Sequence, residues 1–320
     1  MSSLNIAEEM GVTLPERAAT TTHPTRTFLW SVRRELWENP SIVVAPAAVA
    51  SLLVIATLVA AVRFTGPLLL KLAEKNLALS TVAIAPFLPV PMFLGIAMVL
   101  VAIFYSLDAL LSERQDRSIL FWKSLPVSDS VTVLSKMAVP IVILPVITFI
   151  LAIATDILIF LIETFALLAH HASVVSAWAG IPVLSLLGLM SYAAIVVTLW
   201  YAPIYAWFLL VSAWARRMPL VWAVMPFFVL AFFERIAFQT HHVRNFIGNR
   251  IGGVFAIAFT PTNTTYGHNH ALVAHVTNDS LGTLCTPGHF LATPALWLGL
   301  LFAALALILI IRLRRSSGPI

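Results

Sequence analysis

Between two long apolar runs, Asp108, Glu113, Arg114, Asp116 and Arg117 fall within ten positions. Carboxylates and guanidiniums mixed at this density pair with one another or with a charged partner. Glu113 and Arg117 stand four apart, the spacing that supports a solvated helical turn. The character then changes through Ser118, Phe121, Trp122, Lys123 and Leu125. Pro126 halts the helix, and Ser128 or Asp129 is available to cap the next one. The pattern predicts a short amphipathic helix over 112–125, with a polar edge and aromatics that suit a partner's groove or a lipid interface.

Two further acids, Asp156 and Glu163, lie seven apart in an apolar run, which puts them on one helical face about two turns apart. Ionisable groups at membrane depth are costly and face a cavity, a partner charge or a water path. The pair therefore reads as the polar lining of a translocation pathway or as a cation site. The competing readings are a helix already emerged into water, or neutralisation by a cation such as Arg235. Late in the chain come His241, His242, His268, His270, His275 and His289, with Asp279 and Cys285. Their spacing matches no zinc pattern with a general-base Glu, and no metal site is assigned. No convincing set of nucleophile and base is found, so no catalytic residue is assigned. Two glycines followed by Lys and Ser or Thr would mark a phosphate-binding loop, but no glycine stands close before Lys123 and Ser124. No cofactor site is assigned in this chain. The single Cys285 excludes an intramolecular disulfide and a thiolate cluster.

Composition decides which elements position these residues. The chain is 60% hydrophobic and 10% charged, with a mean hydropathy of +0.95, far from soluble globular usage. An all-α integral membrane protein is expected, with six transmembrane helices near 41–62, 88–111, 131–163, 181–211, 220–238 and 294–312. These make one domain over 25–315, between a polar tail at 1–24, which lacks the apolar core of a cleavable signal, and a tail at 316–320.

An amphipathic interfacial helix should cover 25–38, with Phe28, Leu29, Val32 and Leu36 opposite Arg33, Arg34 and Glu38. Arg63, Lys71, Glu74 and Lys75 are expected in a loop. The third span, with Pro140 and Pro145, is longer than one crossing needs and should tilt, kink or extend. Glu234 and Arg235 read as an interfacial anchor. The apolar stretch 251–259 is too short to cross, and suits a re-entrant or surface element before the sixth span. Thirteen of the 19 Lys and Arg residues fall on one side of this topology. That asymmetry predicts a multi-pass protein with both termini cytoplasmic, and it accounts for the net charge of +5 without nucleic acid.

Leu107-Asp108-Ala109-Leu110, Glu113-Arg114, residues 116–129 and Lys136 together resemble the cytoplasmic loop of bacterial ABC-2 type transporter permeases. The resemblance implies that 112–125 is the coupling helix, which docks on a separate ATP-binding subunit. Glu113, Arg114, Asp116 and Arg117 would set register. Phe121, Trp122 and Leu125 would be the buried anchor, with Ser118, Lys123 and Pro126 in the same contact. It further implies ABC ATPase subunits that bind the ATP and Mg, and a second copy of this or a related permease. The setting would be the lipid of the bacterial cytoplasmic (inner) membrane, and the direction export. The alternative is a gradient-driven secondary transporter or channel without an ATPase, in which Asp156 and Glu163 carry the work.

Overall fold

The computed structural model describes residues 24–75, 85–116, 128–179, 183–259 and 285–316. Every regular element in them is a helix, apart from an isolated bridge between Phe259 and Cys285. In chain order these are α1 (Pro24–Glu38), α2 (Ser41–Lys75), a short 3-10 turn (Ala85–Phe87), α3 (Pro89–Asp108), α4 (Leu111–Gln115) and α5 (Asp129–Ala138). A π turn (Val139–Ile143) leads into α6 (Leu144–Ala169). Then come α7 (Val174–Trp178), α8 (Val183–Trp214), α9 (Pro219–Phe238), α10 (His242–Ala258), α11 (Pro287–Ala292) and α12 (Pro294–Ser316).

Six segments are long and apolar enough to cross a bilayer: Ser41–Leu69, Ala85–Gln115, Asp129–Ala169, Val183–Trp214, Pro219–Phe238 and Pro294–Arg315. This is a multi-pass, all-α membrane protein. Its helices are apolar on nearly every face, as helices surrounded by lipid must be. Large side chains such as Leu52, Phe104, Phe228 and Leu305 are accordingly exposed on the bundle surface.

The main core lies where α2, α3, α5, α6, α8 and α12 converge, around Ile42, Met98, Val133, Leu144, Tyr205, Leu209 and Ile310. A second cluster toward the opposite end joins α8, α10, α11 and α12 through Val196, Trp200, Val254, Phe290 and Leu296. A third, around Ala50, Val90, Leu94, Ala152 and Ile159, packs α2, α3 and α6 together. The α9 helix lies at the periphery, where Ala223 is its one buried residue.

Several boundaries differ from the sequence expectation. Arg63, Lys71, Glu74 and Lys75 are not in a loop, because α2 runs on through Pro67 to Lys75. The third span does extend, from Asp129 to Ala169. It is interrupted by the π turn that begins one residue before Pro140, where a proline cannot donate to the ladder and an extra residue relieves the clash. Of the two candidate caps for α5, Ser128 serves, its hydroxyl accepting from the Val131 amide. Residues 251–258 are the second half of α10, a 17-residue helix, and Phe259 follows its end.

Glu234, read from the sequence as an interfacial anchor, also holds the turn into α10. Its carboxylate accepts from the Thr240 hydroxyl at 2.6 Å, from the Val243 amide at 2.7 Å and from the His242 amide, and so caps the start of α10.

Candidate functional site: a buried ion network at one end of the bundle

The N-terminal helix supplies the first members. On α1, Val32 and Glu35 are buried and Leu36 is partly buried, while Leu29, Trp30 and Trp37 are exposed. The inward stripe is therefore rotated from the expected one, with Leu29 outside it and Glu35 at its centre.

Glu35 is 1% exposed. Its Oε2 accepts from the Tyr105 hydroxyl on α3 at 2.8 Å, and its Oε1 receives Lys136 Nζ from α5 at 2.9 Å and Arg34 Nη2 at 3.0 Å. Glu113, on α4, is the second hub. Its Oε1 meets Lys136 Nζ and Arg34 Nη2, each at 3.1 Å, and its Oε2 receives Arg314 Nη1 from α12 at 2.7 Å. Arg314 Nε then reaches Asp129 Oδ1, in the first turn of α5, at 3.0 Å.

Three cations (Arg34, Lys136 and Arg314) thus balance three carboxylates (Glu35, Glu113 and Asp129), drawn with Tyr105 from five helices. Glu38, half exposed, joins at the rim through Arg34 Nε at 3.2 Å. Burial pushes its carboxyl up from the usual range, and the Arg34 guanidinium pulls the other way. Charges taken out of water are tolerated only when paired and hydrogen-bonded, and this balance meets the requirement.

A second set of contacts fixes the turn between α3 and α4. The Leu110 and Leu111 amides both donate at 3.0 Å to Ser212 Oγ, which is fully buried on α8. Arg114 Nη2 donates to the Ser212 carbonyl at 3.2 Å and also to the Ala215 carbonyl. A guanidinium at the C-terminus of α8 satisfies carbonyls left open by the helix end and faces the negative pole of its dipole.

Glu113 and Arg114 therefore face into the chain, one into the ion network and one onto α8. Asp116 is exposed at the edge of the described residues. Arg117, Ser118, Phe121, Trp122, Lys123, Leu125 and Pro126, with most of the expected coupling helix, lie outside them. Of the pathway candidates, Asp156 and Glu163 are both half-buried on α6 and enter none of the ion pairs among the described residues. Asp156 Oδ1 is buried without a hydrogen-bond partner there.

Sequence reasoning missed Glu35, Tyr105, Asp129, Ser212 and Arg314 as members of one site. The available signal was Lys136, a lone cation close before a long apolar run, which needs a buried anion from elsewhere in the chain.

Among the described residues, no group of three or more His, Cys, Asp and Glu side chains is placed to hold a metal ion. The network joins the ends of α1, α3, α4, α5 and α12 by ion pairs and hydrogen bonds. No family model, curated protein or solved structure matches the chain.

Proposed function

We propose that the chain is the membrane-spanning permease subunit of an ATP-binding-cassette transporter of the ABC-2 type. It would export substrate across the bacterial cytoplasmic membrane with ATP hydrolysed by a separate subunit. The observation that supports this reading is the position of Glu113. It stands just before 116–128, part of the segment that the resemblance reads as a cytoplasmic loop, and is ion-paired to α1, α5 and α12. A push on that loop would pass through Glu113 and Arg114 into four spans as a rigid-body motion, the form of response that ATP-driven closure of a docked subunit demands. The loop carries Phe121, Trp122 and Leu125, residue types that anchor protein interfaces. The basic excess on that side supports a cytoplasmic placement of the loop and of both termini.

The test is purification of the chain from its native membrane in mild detergent, with mass spectrometry of its companions. A stoichiometric partner bearing a phosphate-binding loop, lost in Trp122→Ala, is the expected outcome. A chain that purifies alone, and is indifferent to Trp122, overturns the reading.

One observation favours a second reading, a gradient-driven carrier. Asp156 keeps a buried carboxylate oxygen on a span with no hydrogen-bond partner among the described residues. Transport by the purified chain alone, abolished in Asp156→Asn, would establish that reading instead.

A further inference from the structure

Away from the ion network, α10 packs on the bundle through Val254 and Ala258, and one charged side chain joins that contact. Arg250 lays its guanidinium over the Trp200 ring, 4.3 Å from the centroid. Its Nη2 donates to the Trp200 carbonyl at 2.7 Å and its Nη1 to the Ala295 carbonyl at 3.1 Å, so it grips α8 and α12 at once. Trp200 reciprocates, its Nε1 donating to the Arg250 carbonyl at 2.7 Å, and the Tyr201 hydroxyl donates to the carbonyl of Ile251.

Two features of the spans make the seat. Pro203, inside α8, has no N–H to donate to the Leu199 carbonyl and crowds the turn that carries Trp200. On α12, Gly299 leaves the space the guanidinium fills. A Cβ there would lie 2.5 Å from Arg250 Nη2 and 3.1 Å from Cζ.

What α10 carries is tied to it. Phe259, just past its end, pairs with Cys285. The Thr286 hydroxyl donates to the Ala258 carbonyl at 3.0 Å, His289 Nδ1 lies 3.0 Å from the Ile257 carbonyl, and Phe290 packs with Trp200. The assembly of α10, α11 and the strap formed by the Phe259–Cys285 bridge is thus held to α8 and α12 by Arg250, with the Tyr192 hydroxyl donating to the Ala258 carbonyl at 3.1 Å and Val254, Ala258 and Phe290 packed in the same cluster.

We infer that Arg250, seated between Trp200 and Gly299, is the lock of a closing element: it pins α10 across α8 and α12, and its withdrawal frees α10 and the strap to swing away. Neutral carbonyls and a ring face hold the guanidinium, and Arg250 enters none of the ion pairs among the described residues. Release therefore separates no buried ion pair. That the element closes a substrate path rests on the transport reading; the lock itself does not.

Cys285 is the chain's single thiol, half-buried, with burial pushing its pKa up. It is a built-in reporter, since its labelling rate follows its exposure. The experiment measures maleimide labelling of Cys285 in the full chain in detergent, with size-exclusion elution as the check on folding. Arg250→Ala should label about tenfold faster than the parent, the order expected for losing a charged hydrogen bond that holds the closed state.

Gly299→Ala should also label faster, although alanine is the better helix former, and the double variant should label no faster than Arg250→Ala alone. Gly299→Ala at or below the parent rate, or an unchanged rate in Arg250→Ala, overturns the lock. If Arg250→Ala does not fold, Gly299→Ala decides. Failure to find an ATPase partner would remove the ATP-driven reading and leave the labelling result standing, and the reverse holds as well.

Discussion

The two ends of the bundle solve the same problem in opposite ways. At one, Glu35, Glu113, Lys136 and Arg314 neutralise one another with full charges, at 2.7 to 3.1 Å. At the other, Arg250 is held by two backbone carbonyls and an aromatic face. Removing one member of an ion network leaves its partner charged and buried, whereas removing Arg250 leaves neutral carbonyls that a water molecule can satisfy. The first end is built to move as a unit. The second is built to let go.

The largest effect that would break this contrast is expected at Lys136. Lys136→Met should cost about 3–5 kcal/mol, because it removes the buried ammonium that Glu35 and Glu113 share and leaves Arg34, which also bridges them, and Arg314 to offset two buried carboxylates. A denaturant titration followed by tryptophan fluorescence measures it, and a loss no larger than that of Arg250→Ala would erase the distinction between the ends. Glu113→Gln should recover part of the loss in the double variant, with a coupling of about 1–3 kcal/mol.

At the far end, Arg250→Ala should cost about 1.5–3 kcal/mol, the range for hydrogen bonds made by a charged group. Hydrogen exchange should place the added opening in α10, leaving α1 and α5 protected; loss of protection at both ends would show the two regions to be one cooperative unit. The smallest effect is expected at the network's rim. Glu38 is half exposed and, among the described residues, pairs with Arg34, four residues earlier on the same helix. Glu38→Gln should change stability by less than about 0.5 kcal/mol, measured by the same titration.

Much of the scaffold was legible in the sequence. Runs of some 20 apolar residues announce spans by length alone, and six such segments stand in the structure. Boundaries were less legible where polar residues ride on a helix. Arg63 and Lys75 looked like loop residues, yet a helix leaving a bilayer can keep winding into water. The rotation of α1 was misread for a related reason. A stripe that buries Glu35 looks like an error in amphipathic pattern until Tyr105 and Lys136 are seen to meet it. Glu113 and Arg114 were legible as a polar cluster, but charge density does not say whether a cluster faces water, a partner or the chain's own interior.

The sequence by itself determined that this is an all-α, multi-pass membrane protein, because hydropathy and length act locally and need no knowledge of contacts. It also determined where charge concentrates. Only the tertiary structure decided which charges meet. Arg314 finds Glu113 across 201 positions, and Arg250 finds Trp200 across 50. A buried charge takes its partner from whatever segment the packing brings within about 3 Å, and that distance is set by how whole helices lie against one another.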